Sequence, residues 1–390
     1  MNKKDIVITS AFRTPIGSFK GSLSEFKAYQ LGSTVIKECL VHSKLESKDV
    51  DEVIMGQVLQ AGCGQNPARQ ASLNAGIDKT TPATTINQVC GSGLSAISLG
   101  YNFLKAENDK IIVAGGQESM TNSPHFIKFR DNENVSKESL KDTMLVDGLL
   151  DAYNHYHMGV TAENVAAKFN ITRNEQDEFA YNSQKKALKA IETKKFKDEI
   201  VPIEISNVSF KKDEHPRENV ELSKLAELKT VFKDNGSVTA GNSSGLNDGA
   251  AGVVIMNRET ASKKGLAPLV RIVSWAQCGV DPSIMGTGPI PAVKLALEKA
   301  GWNKNDLDLI ESNEAFAAQS IAVIKELDLN PDNVNVNGGA ISLGHPIGAS
   351  GARILVTLIH EMRKRSSKKG IATLCIGGGM GIAMCIEAEN

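Results

Sequence analysis

The chain has 390 residues, more than one ordinary domain of roughly 100–200 residues holds, so two or three domains are expected. Lys and Arg number 44 against 45 Asp and Glu, a net charge of −1 that argues against a general nucleic-acid binder or a polybasic membrane binder. Six cysteines in this length do not make a disulfide scaffold, and with aromatics at 5% the cores must be built from Val, Ile, Leu, Ala and Met.

Lys3 and Lys4 precede Ile6-Val7-Ile8, but Asp5 and Arg13 interrupt any signal-peptide core, so a cytoplasmic location is the expectation. Taken in chain order, short β-branched runs predict buried strands at 6–9, 53–55, 84–86, 111–114, 253–256, 270–273, 309–311, 373–376 and 382–386. Helical patterns predict helices at 29–39, 94–104, 160–169, 173–194, 290–300, 315–326 and 351–365. The longest uncharged apolar stretch, 370–386, falls short of a membrane span and reads as two strands around a Gly377-Gly378-Gly379 turn. The alternation of strands and helices is that of an α/β protein with covered sheets.

The chain repeats itself. Lys48-Asp49-Val50-Asp51-Glu52-Val53-Ile54 resembles Asn305-Asp306-Leu307-Asp308-Leu309-Ile310, and Cys90 and His345 follow these words at nearly equal distances. Each then runs into a helix and a strand ending in glycines, Val113-Ala114-Gly115-Gly116 and Leu374-Cys375-Ile376-Gly377-Gly378. The partner strand follows at once in the second half but is delayed to 253–256 in the first. We therefore expect an N-terminal half of 1–118 with 245–268, an inserted segment of 119–244, and a C-terminal half of 269–390. The insert is rich in Lys, Asn, Glu and His, which suits a binding element.

Cys90 lies where a strand turns into a helix near Gly91, a position where the helix dipole and free backbone N–H groups favour a thiolate. A nucleophile that becomes acylated and an inert buried cysteine both remain open there. His345 sits in the glycine-dense run from Gly338 to Gly351, where an imidazole can take a thiol proton or donate to an oxyanion. Cys375 ends a strand before Gly377-Gly378-Gly379, whose backbone N–H groups suit an oxyanion hole. Cys385 reads as core, Cys39 and Cys278 as unremarkable, and Cys63 as exposed with no visible base. No Cys-x-x-Cys pair suggests a metal, so none is expected.

Asn87-Gln88-Val89-Cys90-Gly91-Ser92-Gly93, Asn313-Glu314-Ala315-Phe316-Ala317, Gly344-His345-Pro346 and Cys375-Ile376-Gly377-Gly378-Gly379 resemble the four signature blocks of the thiolases. The likeness runs end to end, through Arg13-Thr14-Pro15-Ile16-Gly17 and 64–71 to 241–250. It implies a thiolase-like fold of two similar βαβαβαββ halves with an inserted loop domain, and a homotetramer with 123–136 as an inter-subunit contact.

By that resemblance Cys90 attacks an acyl-CoA thioester while His345 accepts its proton, and Cys375 then removes a proton from the methyl carbon of acetyl-CoA. One oxyanion hole combines His345 with a water held by Asn313; the other combines the N–H groups of Cys90 and Gly377. Ser244 meets the pantetheine and Arg217 the nucleotide phosphates, with Lys211 and Lys212 as neighbours. Tyr156-His157-Met158-Gly159 resembles the acetoacetyl-CoA thiolases, in which this pair walls a short acyl pocket, and Leu149 and Phe316 add lining. Glu314 is either a supporting residue behind Asn313 or a helix N-terminal acid. Acetyl-CoA, acetoacetyl-CoA and CoA are then substrates and products, with no resident cofactor. A broader 3-ketoacyl-CoA thiolase, a non-catalytic CoA or lipid binder of the same fold, and a cysteine hydrolase are the alternatives.

Overall fold

The computed structural model describes residues 2–107, 109–129 and 136–389. Nine strands form the backbone of one continuous sheet: β1 (Ile6–Arg13), β2 (Glu52–Gly56), β3 (Ala83–Ile86), β4 (Ile111–Ser119), β5 (Asn247–Asn257), β6 (Val270–Gly279), β7 (Leu309–Ser312), β8 (Lys369–Ile376) and β9 (Met380–Ala388). Their order is β7-β8-β9-β6-β1-β5-β4-β2-β3, with Gly17–Ser18 pairing β5 at one side.

Each half of that sheet has the same internal order. In the first, β2 pairs in parallel with β3 and β4, and β4 pairs antiparallel with β5, which pairs antiparallel with β1. In the second, β7 pairs in parallel with β8, β8 antiparallel with β9, and β9 antiparallel with β6. The counterpart of β3 shrinks to a single parallel bridge between Ile310 and Val334. Even the irregularities match: β1 shifts register between Ile8 and Ser10, and β6 between Ile272 and Ser274. The halves meet where Val7 and Ile8 pair antiparallel with Arg271 and Val270.

Period-2 alternation explains why these strands carry so few polar residues. Val53, Met55, Val113, Val254 and Met256 face an outer core under α1 (Ala28–His42). Ile54, Ile112, Ala114, Val253 and Ile255 face the opposite way into a central core. In the other half Ile371, Ala383 and Cys385 point outward beneath α5 (Pro289–Ala300) and α6 (Ala317–Leu327). Ala372, Leu374, Ile382 and Met384 point into that same central core. Cys385 is thus core, as expected.

Two helices fill the centre, α2 (Ser92–Ala106) and α7 (Ser350–Arg365), giving layers in the order helix, sheet, helix pair, sheet, helix. Every residue of α7 from Ser350 to Met362 is buried, although Arg353, His360 and Glu361 lie among them. Arg353 is paired with Glu311 at 3.3 Å. The helices touch at glycines. A Cβ on Gly351 would stand 2.5 Å from Leu94 N, and one on Gly93 would stand 2.8 Å from Ala352 N. This crossing brings the starts of α2 and α7, and the residues just before them, side by side.

Between β4 and β5 the chain leaves the sheet for residues 120–246, which carry α3 (Met158–Lys168) and α4 (Arg173–Glu192). Arg13 at the end of β1 anchors this excursion. Its fully buried guanidinium binds Glu199 at 2.6 Å and Asp213 at 2.7 Å, and lies 5.0 Å over the Phe196 ring. Burying three charges is costly unless they are paired and hydrogen-bonded, which fixes the path of the excursion toward Arg217.

Candidate active site

Cys90 stands at the tip of a strained turn. β3 ends at Ile86, Val89 adopts φ +46, and α2 begins at Ser92. A β-branched residue in the left-handed region is unfavourable, and such strain gathers at sites where a side chain must be aimed. Ser92 Oγ supports the turn, donating to Val89 O at 2.7 Å and accepting from Gln88 N at 2.8 Å. Gly91 lets the turn press against the other half, since a Cβ there would stand 2.4 Å from Ile376 Cδ1. Gly377 follows Ile376 directly, and its backbone N–H donates to the Cys90 sulfur.

The structure qualifies the thiolate expectation. Burial pushes the Cys90 thiol up to about 11, and the Gly377 N–H only partly offsets this. Cys90 lies before the helix, so the dipole does not outweigh the loss of water. Burial thus favours the neutral thiol at rest.

His345 faces the same space as Cys90. Its ring is buried, and burial first, then the nearby Arg353 charge, pull it down to about 3. Nδ1 lies 2.6 Å from Ser350 Oγ on the first turn of α7. Nε2 has no hydrogen-bond partner among the described residues. The backbone N–H of His345 is held by Asn247 Oδ1 at 2.9 Å. Asn313 follows β7, its Nδ2 lying 3.5 Å from His345 Nδ1 and its Oδ1 also unpartnered.

A cavity of about 360 Å³ opens over these groups, lined by Cys90, His345, Gly377, Ser244, Arg217, His157, Met158, Leu149 and Phe316. Each of those residues was singled out in the sequence. Cys375 lies just beneath, packed with Met158, Met285, Ala315 and Phe316. Burial raises the Cys375 thiol strongly, and a charge on nearby Cys90 raises it further.

The excursion builds most of the walls. His157 caps α3, its Nδ1 accepting from Gly159 N at 3.0 Å, and its ring stacks on Phe232 with centroids 4.5 Å apart. Phe232 meets Phe316 edge-on at 6.3 Å. Ser244 is positioned by its N–H to Ala315 O at 3.0 Å, which carries one end of the excursion across to the second half. Leu149 ends a single π-helical turn, Met144–Leu149, and packs beside Cys90 with Met120, Met144 and Ile347. Such turns are rare and are found frequently at functional sites.

Some expected neighbours fall elsewhere. Lys211 and Lys212 line a separate cavity with Ile191, Phe196 and Ile200. Cys63 is half-buried rather than exposed, its thiol donating to Leu59 O at 3.4 Å and shifted upward by burial. Glu314 is not a helix acid, because α6 begins only at Ala317. It ties the loop before His345 to α4, accepting from Ser183 Oγ at 2.6 Å, Asn335 Nδ2 at 2.9 Å and Ile341 N at 3.3 Å. Of the 123–136 stretch expected to touch a neighbouring subunit, residues 130–135 lie outside the described residues.

Sequence reasoning missed Ser350, Phe232, His215 and Met285, and assigned no role to Asn247. Asn247 looks ordinary because its partners are backbone atoms far along the chain, and Ser350 because nothing in the sequence shows its hydroxyl folding back onto the ring of His345. His215 and Phe232 sit in a stretch without clear periodicity. Among the described residues no group of three or more His, Cys, Asp and Glu side chains is placed to hold a metal ion, and no helix is long and apolar enough to cross a membrane.

Comparison with known proteins agrees with this geometry. Residues 6–259 match the thiolase N-terminal domain and residues 266–388 the thiolase C-terminal domain. The acetyl-CoA acetyltransferase of Allochromatium vinosum is 53% identical, with 98% of this chain and 99% of that protein aligned. That of Rhizobium meliloti is 54% identical over 99% and 100%. The crystal structure of the Bacillus anthracis acetyl-CoA acetyltransferase superposes with a TM-score of 0.96 at 48% identity, covering 99% of each chain. With both domains matched and the sulfurs and imidazole gathered at one cavity, the chain belongs to the thiolase family.

Proposed function

We propose that this chain is an acetyl-CoA C-acetyltransferase, joining two acetyl-CoA into acetoacetyl-CoA and CoA and running the reverse thiolysis. The observation that carries the reading is one cavity touching Cys90, His345 and Gly377 with Cys375 directly beneath. The names of the full-length relatives point the same way.

In the first stage the Cys90 sulfur bonds to the acetyl carbon as its proton passes to His345 Nε2. The bond from that carbon to the CoA sulfur then breaks, and the departing sulfur takes the proton. In the second stage Cys375, its own proton first released to solvent, takes a methyl proton from a second acetyl-CoA. The carbanion bonds to the acetyl carbon on Cys90, the bond from that carbon to the Cys90 sulfur breaks, and the freed sulfur regains a proton from solvent. A thiol is too weak a base for this step unless the enolate oxygen is stabilised, and removing one such donor typically costs about 10²–10³ in rate. His345 with a water held by Asn313 would serve that oxygen. The N–H groups of Cys90 and Gly377 would serve the acyl oxygen.

Ser244 and Arg217 would receive the pantetheine and the phosphates, so the 119–244 segment acts as the CoA-binding element between two halves bounded as read from the sequence. His157, Met158, Leu149 and Phe316 would limit the acyl group to a short chain, against the broader 3-ketoacyl-CoA reading. We also place the enzyme in the cytoplasm as a homotetramer without a resident cofactor.

Two substitutions test the assignment. Cys90→Ala should abolish transfer of labelled acetyl from acetyl-CoA to protein. Cys375→Ala should still exchange acetyl groups with CoA while condensation falls by about 10²–10⁴, the usual worth of a positioned acid–base. Normal condensation by the Cys375 variant would overturn its role, and hydrolysis of acetyl-Cys90 without condensation in the unmodified protein would favour a hydrolase.

A further inference from the structure

His345 is asked for opposite things in the two stages. Accepting the Cys90 proton needs a bare Nε2, whereas stabilising an enolate oxygen needs Nε2–H. The neutral ring must then carry its single proton on Nδ1 in the first case and leave Nδ1 bare in the second. Whatever contacts Nδ1 therefore decides how evenly the two forms are held.

Two side chains lie near Nδ1. Asn313 Nδ2 is 3.5 Å away, at the limit of a hydrogen bond, and as a donor it serves only a bare Nδ1. Ser350 Oγ is 2.6 Å away and also lies 2.9 Å from Pro346 O. A hydroxyl rotates freely and has one donor and two acceptor sites. Pointed at Nδ1, its hydrogen satisfies the bare nitrogen. Turned onto Pro346 O, it frees a lone pair to accept Nδ1–H. Ser350 is itself buried, one of the residues that begin α7, so no bulk water competes for either arrangement. Pro346 O also receives the N–H groups of Ala349 and Ser350, each at 2.9 Å, so it stays satisfied when the hydroxyl turns away.

We propose that Ser350 is a positioning residue whose rotating hydroxyl, shared between His345 Nδ1 and Pro346 O, holds both neutral forms of His345 at similar energy. One imidazole can thereby accept a proton in acylation and donate a hydrogen bond in condensation. The inference rests on the thiolase reading for its catalytic consequence, but the balance of forms is a property of the resting protein.

Ser350→Ala leaves Asn313 as the side-chain neighbour of Nδ1 and so drives the proton to Nε2. In ¹⁵N-histidine spectra of the full chain, with His345→Gln identifying the resonances, the unmodified protein should show Nδ1 and Nε2 shifts averaged between the two forms. Ser350→Ala should show the Nε2–H form alone. In rapid-quench assays the variant should acetylate Cys90 about 10- to 100-fold more slowly, with the KM for acetyl-CoA changed less than about twofold. Ser350→Thr, which keeps the hydroxyl, should recover most of that rate and the averaged spectrum. Identical His345 spectra in the unmodified and Ala proteins would overturn the proposal. So would equal losses in the Ala and Thr variants tracking a common fall in thermal midpoint. Should the unmodified protein fail to form acetyl-Cys90 at all, the thiolase reading falls, while the spectra still decide the role of Ser350.

Discussion

Asn247 Oδ1 accepts the backbone N–H of His345 at 2.9 Å, so the first residue of β5 in one half holds the residue that brings an imidazole to the cavity from the other. Asn247 is fully buried, and its Nδ2 is committed to Gly17 O at 3.0 Å, which fixes the amide against rotation. Asn247→Ala should leave a buried N–H without a partner, destabilising the protein by about 1–3 kcal/mol. It should also lower kcat by up to about 10²-fold through misplacement of the ring, with a smaller effect on the KM for CoA. Steady-state kinetics beside urea unfolding checks this; an unaltered kcat in a destabilised variant would show that Asn247 serves the fold alone.

Met158 is buried at the start of α3, and its sulfur lies 3.6 Å from where a Cβ on Gly377 would stand, next to the reacting carbon in the proposed reaction. Met158→Ala should open the acyl pocket without touching either cysteine. Because a methylene in an apolar pocket is worth roughly 1–3 kcal/mol, kcat/KM for 3-ketohexanoyl-CoA relative to acetoacetyl-CoA should rise about tenfold or more. An unchanged ratio across the chain-length series would move the limit to Leu149 or Phe316.

The neutral state of His345 has a thermodynamic signature. Its pKa is depressed to about 3 in the folded chain, so between pH 7 and pH 5 the unfolded chain takes up a proton that the folded one does not. Stability from this group is thus present above the ordinary histidine range and lost as pH falls through it. The loss is about 2 kcal/mol at pH 5, which lies roughly 1.5 units below the ordinary histidine value, at 1.36 kcal/mol per unit. His345→Gln cannot take up that proton, so its stability relative to the unmodified protein should improve by about this amount between pH 7 and pH 5. The other buried histidines and carboxylates cancel in the difference. Parallel unfolding curves at the two pH values would show that the ring is charged in the native state.

Gly351→Ala tests the crossing of α2 and α7. Within a helix this change ordinarily gains up to about 1 kcal/mol. Here the new Cβ would meet Leu94 N at 2.5 Å and Leu94 Cβ at 2.9 Å, and backbone cannot step aside. A net loss of about 1–3 kcal/mol in urea unfolding is expected, together with slower acetylation of Cys90 as the two turns are pushed apart. A stabilised variant would mean that the helices separate freely.

Much of this was legible in the sequence because strands buried on both faces write themselves as unbroken apolar runs, and because the repeat marks equivalent turns. The order β3-β2-β4-β5-β1 and its echo in the second half were not, since pairing across the sheet leaves no local trace. Nor was the burial of α7. Arg353 and Glu361 suggest a solvated face, and only the second half of the sheet covering the helix requires Arg353 to find Glu311. The site shows the same division. Cys90, His345 and Cys375 stand out by their glycine settings. Asn247 acts through hydrogen bonds to backbone groups far along the chain, and Ser350 through the way the Pro346 turn folds its hydroxyl back onto the His345 ring, and composition is blind to both. The surroundings of the Cys90 thiol divide in the same way: a turn beside a helix start is visible in sequence, but the packing against Gly377 and Ile376 is not.

The matching order of the two half-sheets carries one more implication. A chain built twice over the same plan ordinarily inherits two equivalent workplaces. Here the equivalent turns, one bearing Cys90 and the other His345, are brought face to face by the glycine crossing of α2 and α7, so both copies are spent on a single centre. On the proposed mechanism neither half alone should retain the chemistry, and saturation with acetyl donor should label each polypeptide once.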